Sequence, residues 1–208
     1  KGASRVRVVP ELPLRIDFED RKPGLAPGGW ISASPVKFKV VDLDGNKVLK
    51  KLSDKPKFIL ARMYFGKPID QDYTMQLDLM GTEEKFQLPD MGFFVSRYRF
   101  DLLGNRQGAR IVAWSPMPRL EKKIRFKWDP KVWYTAKMSV SRSGGKATIR
   151  AKVWKKGTEE PAEWTLEIVD STPNMGGAPG LYAYSAGSTD KKIGGEIYYD
   201  NIVVTAAK

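Results

Sequence analysis

The sequence contains no cysteine and no histidine, and these two absences remove most of the familiar catalytic and metal-binding chemistry. Without an imidazole base or a thiolate nucleophile, triads of the Ser-His-Asp or Cys-His kind cannot form. The ordinary zinc, haem, iron–sulfur and blue-copper ligand sets are excluded as well. Carboxylates, lysine, tyrosine, serine and threonine remain. No disulfide can staple the chain, but 208 residues can bury a core without one. Long apolar runs are missing too: those at Gly92–Val95 and Ile202–Val204 fall far short of the roughly 20 residues that span a bilayer, so membrane insertion is not expected. The chain opens on Lys1 with no short apolar signal-like segment, which reads as a piece of a longer protein.

Helical periodicity is also absent. No window repeats apolar residues at i, i+3, i+4 and i+7, and 19 glycines and 14 prolines interrupt the chain too often for βαβ units. Period-two alternation dominates instead. In "YTMQLDL" Tyr73, Met75, Leu77 and Leu79 take one face and Thr74, Gln76 and Asp78 the other, as a half-buried strand requires. Tyr134–Val140 and Ala147–Val153 repeat the pattern. Further strands are expected at Leu14–Phe18, Val36–Val41, Lys47–Leu52, Phe58–Phe65, Gly92–Phe100, Ala109–Trp114, Trp164–Ile168, Leu181–Ser185 and Ile197–Val204. Turn residues in "DLDGNK" (42–47), "LLGNRQG" (102–108) and "SRSGGK" (141–146) predict three hairpins. The fold class is all-β, a two-sheet antiparallel sandwich, with residues 14–206 as one domain and 1–13 as a linker or N-terminal edge. Tyr134, Met138, Ile149, Val153 and Leu166 are expected in its core.

The formal charge is +12, from 36 basic and 24 acidic side chains. Phosphate neutralisation is one use for such an excess, but the lysine pairs at 50–51, 122–123, 155–156 and 191–192 scatter near turns and strand ends. That distribution suits solvated loops and guarded sheet edges better than a nucleic-acid track, so no specific nucleic-acid partner is expected.

Glycoside hydrolysis needs two carboxyls on one cleft face, about 5 to 10 Å apart. Glu167 and Asp170 in "LEIVD" are three residues apart and fall on opposite faces of a regular strand. They depart from the E-x-D-x-x-E pattern of sandwich-fold glucanases. Calcium is the one metal the composition permits: if the first and last strands are neighbours, Asp17 and Glu19 can meet Asp200 as a structural Ca²⁺ clip. "NMGGAPG" (174–180) matches no phosphate loop, since neither Gly-Lys-Ser/Thr nor a helix follows.

Six tryptophans and eight tyrosines suffice for a sugar-stacking surface, although most large rings belong in a core. Centring the 102–108 turn near Asn105 places Tyr98 opposite Val112 and Phe100 opposite Arg110. Tyr98, Phe100, Val112 and Trp114 then share an apolar face, and Arg97 and Arg99 point the other way; a one-residue slip reverses this. Arg62 and Tyr64 share a face in "LARMYFG", and Trp154 lies outward with Arg150 and Lys152. Arg62, Tyr64, Arg97, Arg99 and Trp154 are therefore the candidate carbohydrate-binding residues, because guanidinium forks and exposed rings suit sugar hydroxyls and carboxylates. No catalytic residue is assigned.

Several stretches carry a family resemblance: "IDFEDRKPGLAPGGW" (16–30), "DYTMQLDLM" (72–80), "WDPKVWYTAKMSV" (128–140), "IRAKVWKKGTEEPAEWTLEIVD" (149–170), "GAPGLYAYSAG" (177–187) and "EIYYDNIVV" (196–204). With them the chain resembles the concanavalin A-like (laminin-G-like) jelly-roll sandwiches of bacterial secreted proteins, which include the 3-keto-disaccharide hydrolase domain family. It is more closely similar to the C-terminal domain that follows pyrroloquinoline-quinone-type β-propeller repeats. The resemblance implies a non-catalytic accessory module of an exported protein, periplasmic or extracellular, recognising glycan and docked beside a propeller or other domain. The alternatives are a glycoside or 3-keto-glycoside hydrolase using carboxylates, and a purely structural domain docking on a propeller. Fold analogy does not by itself define a site.

Overall fold

Turn chemistry decides which strands become neighbours. In the computed structural model, which describes residues 11–31, 37–52, 59–113, 118–185 and 194–207, Asp44 and Gly45 sit at φ 56° and 85° and join β2 (Phe38–Leu43) to β3 (Asn46–Lys51). Gly144 and Gly145, at φ 57° and 73°, join β10 (Tyr134–Ser143) to β11 (Lys146–Lys155). Positive φ at both central residues matches the twist of the flanking strands. The remaining strands are β1 (Leu14–Ile16), β4 (Leu60–Tyr64), β5 (Tyr73–Gly81), β6 (Asp90–Val95), β7 (Tyr98–Leu103), β8 (Gly108–Ala113), β9 (Leu120–Arg125), β12 (Leu166–Asp170), β13 (Gly180–Tyr184) and β14 (Ile197–Ala206).

They form two antiparallel sheets. The larger runs β12-β11-β10-β5-β14-β3-β2, with β1 also pairing to β14, and the smaller runs β4-β13-β6-β7-β8-β9. First and last strands are thus neighbours, Ile16 lying opposite Ile202. Residues 1–10 of the expected linker lie outside the described residues, while Leu12 and Leu14 pack against the core. Tyr73, Met75, Leu77 and Leu79 are fully buried, as are Met138 and Ile149, with Tyr134, Val153 and Leu166 nearly so. Burying each such side chain contributes about 1.5–3 kcal/mol.

Two sequence expectations change. Gly92–Phe100 is not one strand but two, β6 and β7, joined by Ser96 and Arg97 at φ 47° and 64°. This tight turn carries neither Gly nor Asn. The β7–β8 hairpin exists, but Tyr98 lies opposite Ala113 and Phe100 opposite Ile111, one residue from the expected register. The slip turns Ala113 and Ile111 inward and puts Val112 on the outer face. Trp114 lies outside the described residues. The lysine-rich β9, which has little alternation to reveal it, closes the smaller sheet beyond β8.

Three buried tyrosines cross the sandwich and hydrogen-bond to the opposite sheet. Tyr73 on β5 accepts from the Ser96 N–H at 2.7 Å and donates to the Gly177 carbonyl at 3.0 Å. Tyr98 on β7 donates to Asp170 at 2.6 Å. Tyr199 on β14 donates to the Tyr182 carbonyl at 2.5 Å. A phenol buries a large apolar ring and satisfies its one polar atom at the far end, so these contacts also set the position of one sheet on the other.

Candidate functional site

Alternation along the smaller sheet builds two rows of outward side chains. Cross-strand pairing places Tyr64, Gly180, Phe94, Arg99 and Val112 in one row and Arg62, Tyr182, Gly92, Asp101 and Arg110 in the next. A glycine interrupts each row. A Cβ at Gly180 would stand 2.6 Å from the Tyr64 ring, and one at Gly92 would stand 1.9 Å from the Phe100 carbonyl and 3.0 Å from the Asp101 carboxylate. Glycine lets these neighbours lie across the strand. Tyr64 and Phe94 meet at a centroid distance of 5.4 Å, and Phe94 meets Tyr182 edge-on at 6.3 Å.

A cavity of about 550 Å³ opens on this face, lined by Arg62, Tyr64, Phe94, Arg97, Arg99, Val112, Arg119 and Asn174. Its volume is that of a small-ligand site. Arg62, Tyr64, Arg97 and Arg99, singled out in the sequence, all meet here. The fifth candidate does not: Trp154 on β11 lies opposite Thr135 in the larger sheet, because the sandwich places β11 and β4 on different layers. Phe94, Val112, Arg119 and Asn174 were not foreseen. Phe94 and Val112 were hidden by the missed turn and the register slip, and no local signal marked Arg119 or Asn174.

The rim of the cavity rests on the crossing tyrosines. Tyr73 holds the Ser96 amide of the strained β6–β7 turn, and Arg97 donates its Nε to the Gly176 carbonyl at 2.9 Å. The Asn174 N–H donates to the Tyr98 hydroxyl at 3.0 Å. Non-glycine residues at positive φ cost about 1–2 kcal/mol each; here Tyr73 and the 176–177 carbonyls hold the turn that carries Arg97 to the cavity.

Guanidinium groups outnumber the acids that face them. Arg99 places its Nε 2.7 Å from Asp101 and its guanidinium 3.9 Å above the Tyr182 ring, while Arg110 shares Asp101 at 2.6 Å and takes Glu121 at 3.0 Å. Arg119 binds Asp170 with two nitrogens, at 2.6 and 2.7 Å. Neither Arg62 nor Arg97 has an acidic partner among the described residues, and the Arg62 Nε is buried without any hydrogen-bond acceptor. Leaving such a group unpaired costs about 1–3 kcal/mol. Burial pushes the Tyr64 phenol up, and the charges of Arg62 and Arg99 oppose that shift. Asp170 would likewise be raised by burial, but hydrogen bonds from Arg119, Tyr98 and the Thr172 N–H hold it at about 2.

The carboxylates that are candidates for catalysis or metal binding are all engaged. Glu167 is exposed and pairs with Arg150 at 2.6 Å, whereas Asp170 is buried on the inner face, so the two stand on opposite faces as their spacing requires. Asp17 accepts from the Glu19 N–H at 3.2 Å, Glu19 from the Lys47 N–H at 2.9 Å, and Asp200 from Asn46 at 3.0 Å and the Asn201 N–H at 2.8 Å. The strands expected to bring Asp17, Glu19 and Asp200 together are adjacent, yet no three acidic side chains among the described residues converge in a way that would hold an ion. Among the described residues no helix is long and apolar enough to cross a membrane.

No protein-family model matches the sequence, and no curated protein does. Solved structures match its shape. Carbohydrate-binding module CBM66 from Bacillus subtilis aligns with a TM-score of 0.56 at 11% identity, over 86% of this chain and 96% of the module. A structure described as an immunostimulatory antigen and pseudo β-1,3-glucanase of Mycobacterium tuberculosis aligns at 0.62 and 12%, covering 94% and 98%. Lectin II from Ulex europaeus aligns at 0.57 and 10%, covering 94% and 99%. At these identities the likeness defines the fold: an antiparallel jelly-roll sandwich of the concanavalin A-like kind.

Proposed function

We propose that this domain is a non-catalytic carbohydrate-binding module and that the cavity on the smaller sheet is its sugar site. The observation that carries the reading is the juxtaposition of the Tyr64 and Phe94 rings with guanidinium donors, a pairing suited to the apolar face and polar rim of a sugar ring. The acids beside the cavity, Asp101, Glu121 and Asp170, are each paired with arginine, which argues against their serving as a free acid and base. Among the structural neighbours, a carbohydrate-binding module and a lectin support the reading at the level of fold. The sequence resemblance supports a place outside the cytoplasm, as an accessory part of a larger bacterial protein beside a propeller.

A glycan array probed with the isolated domain tests it. Each stacked ring or charged hydrogen bond contributes on the order of 1–3 kcal/mol, so after the cost of association the affinity should be roughly micromolar to millimolar. Tyr64→Ala should weaken that retention. Retention of no glycan, or turnover of a glycoside or 3-keto-glycoside, would overturn the reading.

A further inference from the structure

We infer that the sugar taken by this cavity is anionic, its carboxylate or sulfate ester held by Arg62 and Arg97 while Tyr64 and Phe94 cover its apolar face. The inference rests on the carbohydrate reading above and adds the charge of the ligand. It follows from the partners of each guanidinium. Arg99 and Arg110 divide Asp101 between them, Arg110 also takes Glu121, and the charge of Arg119 is matched by Asp170. Asp90, the other acid on this face, accepts from the Gly104 N–H at the far side of the sheet. Arg62 on β4 and Arg97 in the β6–β7 turn are left uncompensated at the same cavity, and the Arg62 Nε is already shielded from water without an acceptor.

A neutral sugar entering here would remove more water from two cations and return only hydroxyl acceptors. A carboxylate or sulfate returns charge-assisted bonds that match the planar fork of arginine. The fork is also preorganised: Arg97 is fixed through its Nε to Gly176, and a Cβ at Gly177 would stand 2.8 Å from the Arg97 side chain. Glycine at 177 therefore makes room for this arginine against the loop.

Matched polysaccharide pairs distinguish charge from sugar identity. Polygalacturonate, alginate and hyaluronate are each compared with their methyl esters, and dextran sulfate with dextran, by affinity electrophoresis. The acid or sulfated member of at least one pair should bind about tenfold or more tightly than its neutral partner, and the difference should shrink as salt is raised. Preference confined to the dextran sulfate pair identifies a sulfate ester as the anion, and preference within a uronate pair identifies a carboxylate. Arg62→Gln should abolish the preference, as should Arg97→Asn, which tolerates the positive φ. Lys155→Gln, removing an exposed charge from the C-terminal end of β11 in the larger sheet, should leave it intact. Equal retention of charged and neutral members would overturn the inference and leave the carbohydrate reading standing. An equal loss from Lys155→Gln would reduce the preference to the overall +12 charge and overturn it too. Retention of no polysaccharide would remove both.

Discussion

Arg119 grips Asp170 with both terminal nitrogens across a sequence separation of 51 residues, and so ties the entry to β9 in the smaller sheet to the end of β12 in the larger. The Tyr98 hydroxyl joins the same carboxylate from inside the core. Its phenol is pushed up to about 12 by burial and by that carboxylate.

This clamp predicts acid sensitivity. The folded-state value of Asp170, about 2, lies below the roughly 3.9 of an unfolded aspartate. Its contribution is therefore complete above about pH 4 and is lost as pH falls toward 2. The amount is on the order of 2 kcal/mol. Denaturant melts of the wild type and of Asp170→Asn should differ most at neutral pH and converge near pH 2; a constant gap would contradict the clamp.

The two interrupting glycines should be intolerant to different degrees. Gly92→Ala drives a Cβ against a backbone carbonyl, whereas Gly180→Ala meets the Tyr64 ring first and the Met63 carbonyl at 2.7 Å. Overpacking typically costs about 1–3 kcal/mol. Gly92→Ala should fall at or beyond the upper end in a thermal melt. Gly180→Ala should stay folded and lose glycan retention as Tyr64 is displaced.

Ser96 offers the opposite case. It sits at φ 47° and its hydroxyl is buried without a partner. Ser96→Gly removes both penalties, against a larger loss of chain entropy on folding. A net gain of about 1 kcal/mol is expected from chemical denaturation, with sugar binding kept because Arg97 remains. Destabilisation would show that the turn is not strained.

Trp154→Ala should leave glycan retention unchanged, since the residue belongs to the larger sheet. A loss comparable to that from Tyr64→Ala would relocate the site.

Calcium is expected to leave the melting temperature where it is. A clip holding the ion at a hundredfold excess over its Kd would add about 2.7 kcal/mol. The oxygens of Glu19 and Asp200 instead serve Lys47, Asn46 and Asn201. A higher melt in millimolar Ca²⁺, reversed by chelator, would restore the clip.

Most strands, the inward residues of β5, β10 and β11, and the hairpins at Asp44–Gly45 and Gly144–Gly145 were legible in the sequence, because side-chain alternation and turn propensity are local. For the same reason Arg62 and Tyr64 could be assigned to one face from their spacing alone. Register and layer are not local. The Ser96–Arg97 turn has no sequence mark, and it forms because Tyr73 on the other sheet accepts the Ser96 amide. The single-residue slip between β7 and β8 put Val112 on the cavity face in place of the core. Which of the outward arginines share a pocket, which are neutralised by Asp101 or Asp170, and why Trp154 stands apart all depend on how distant strands pair and which sheet each one joins, since residues remote in the chain meet only when the sandwich closes.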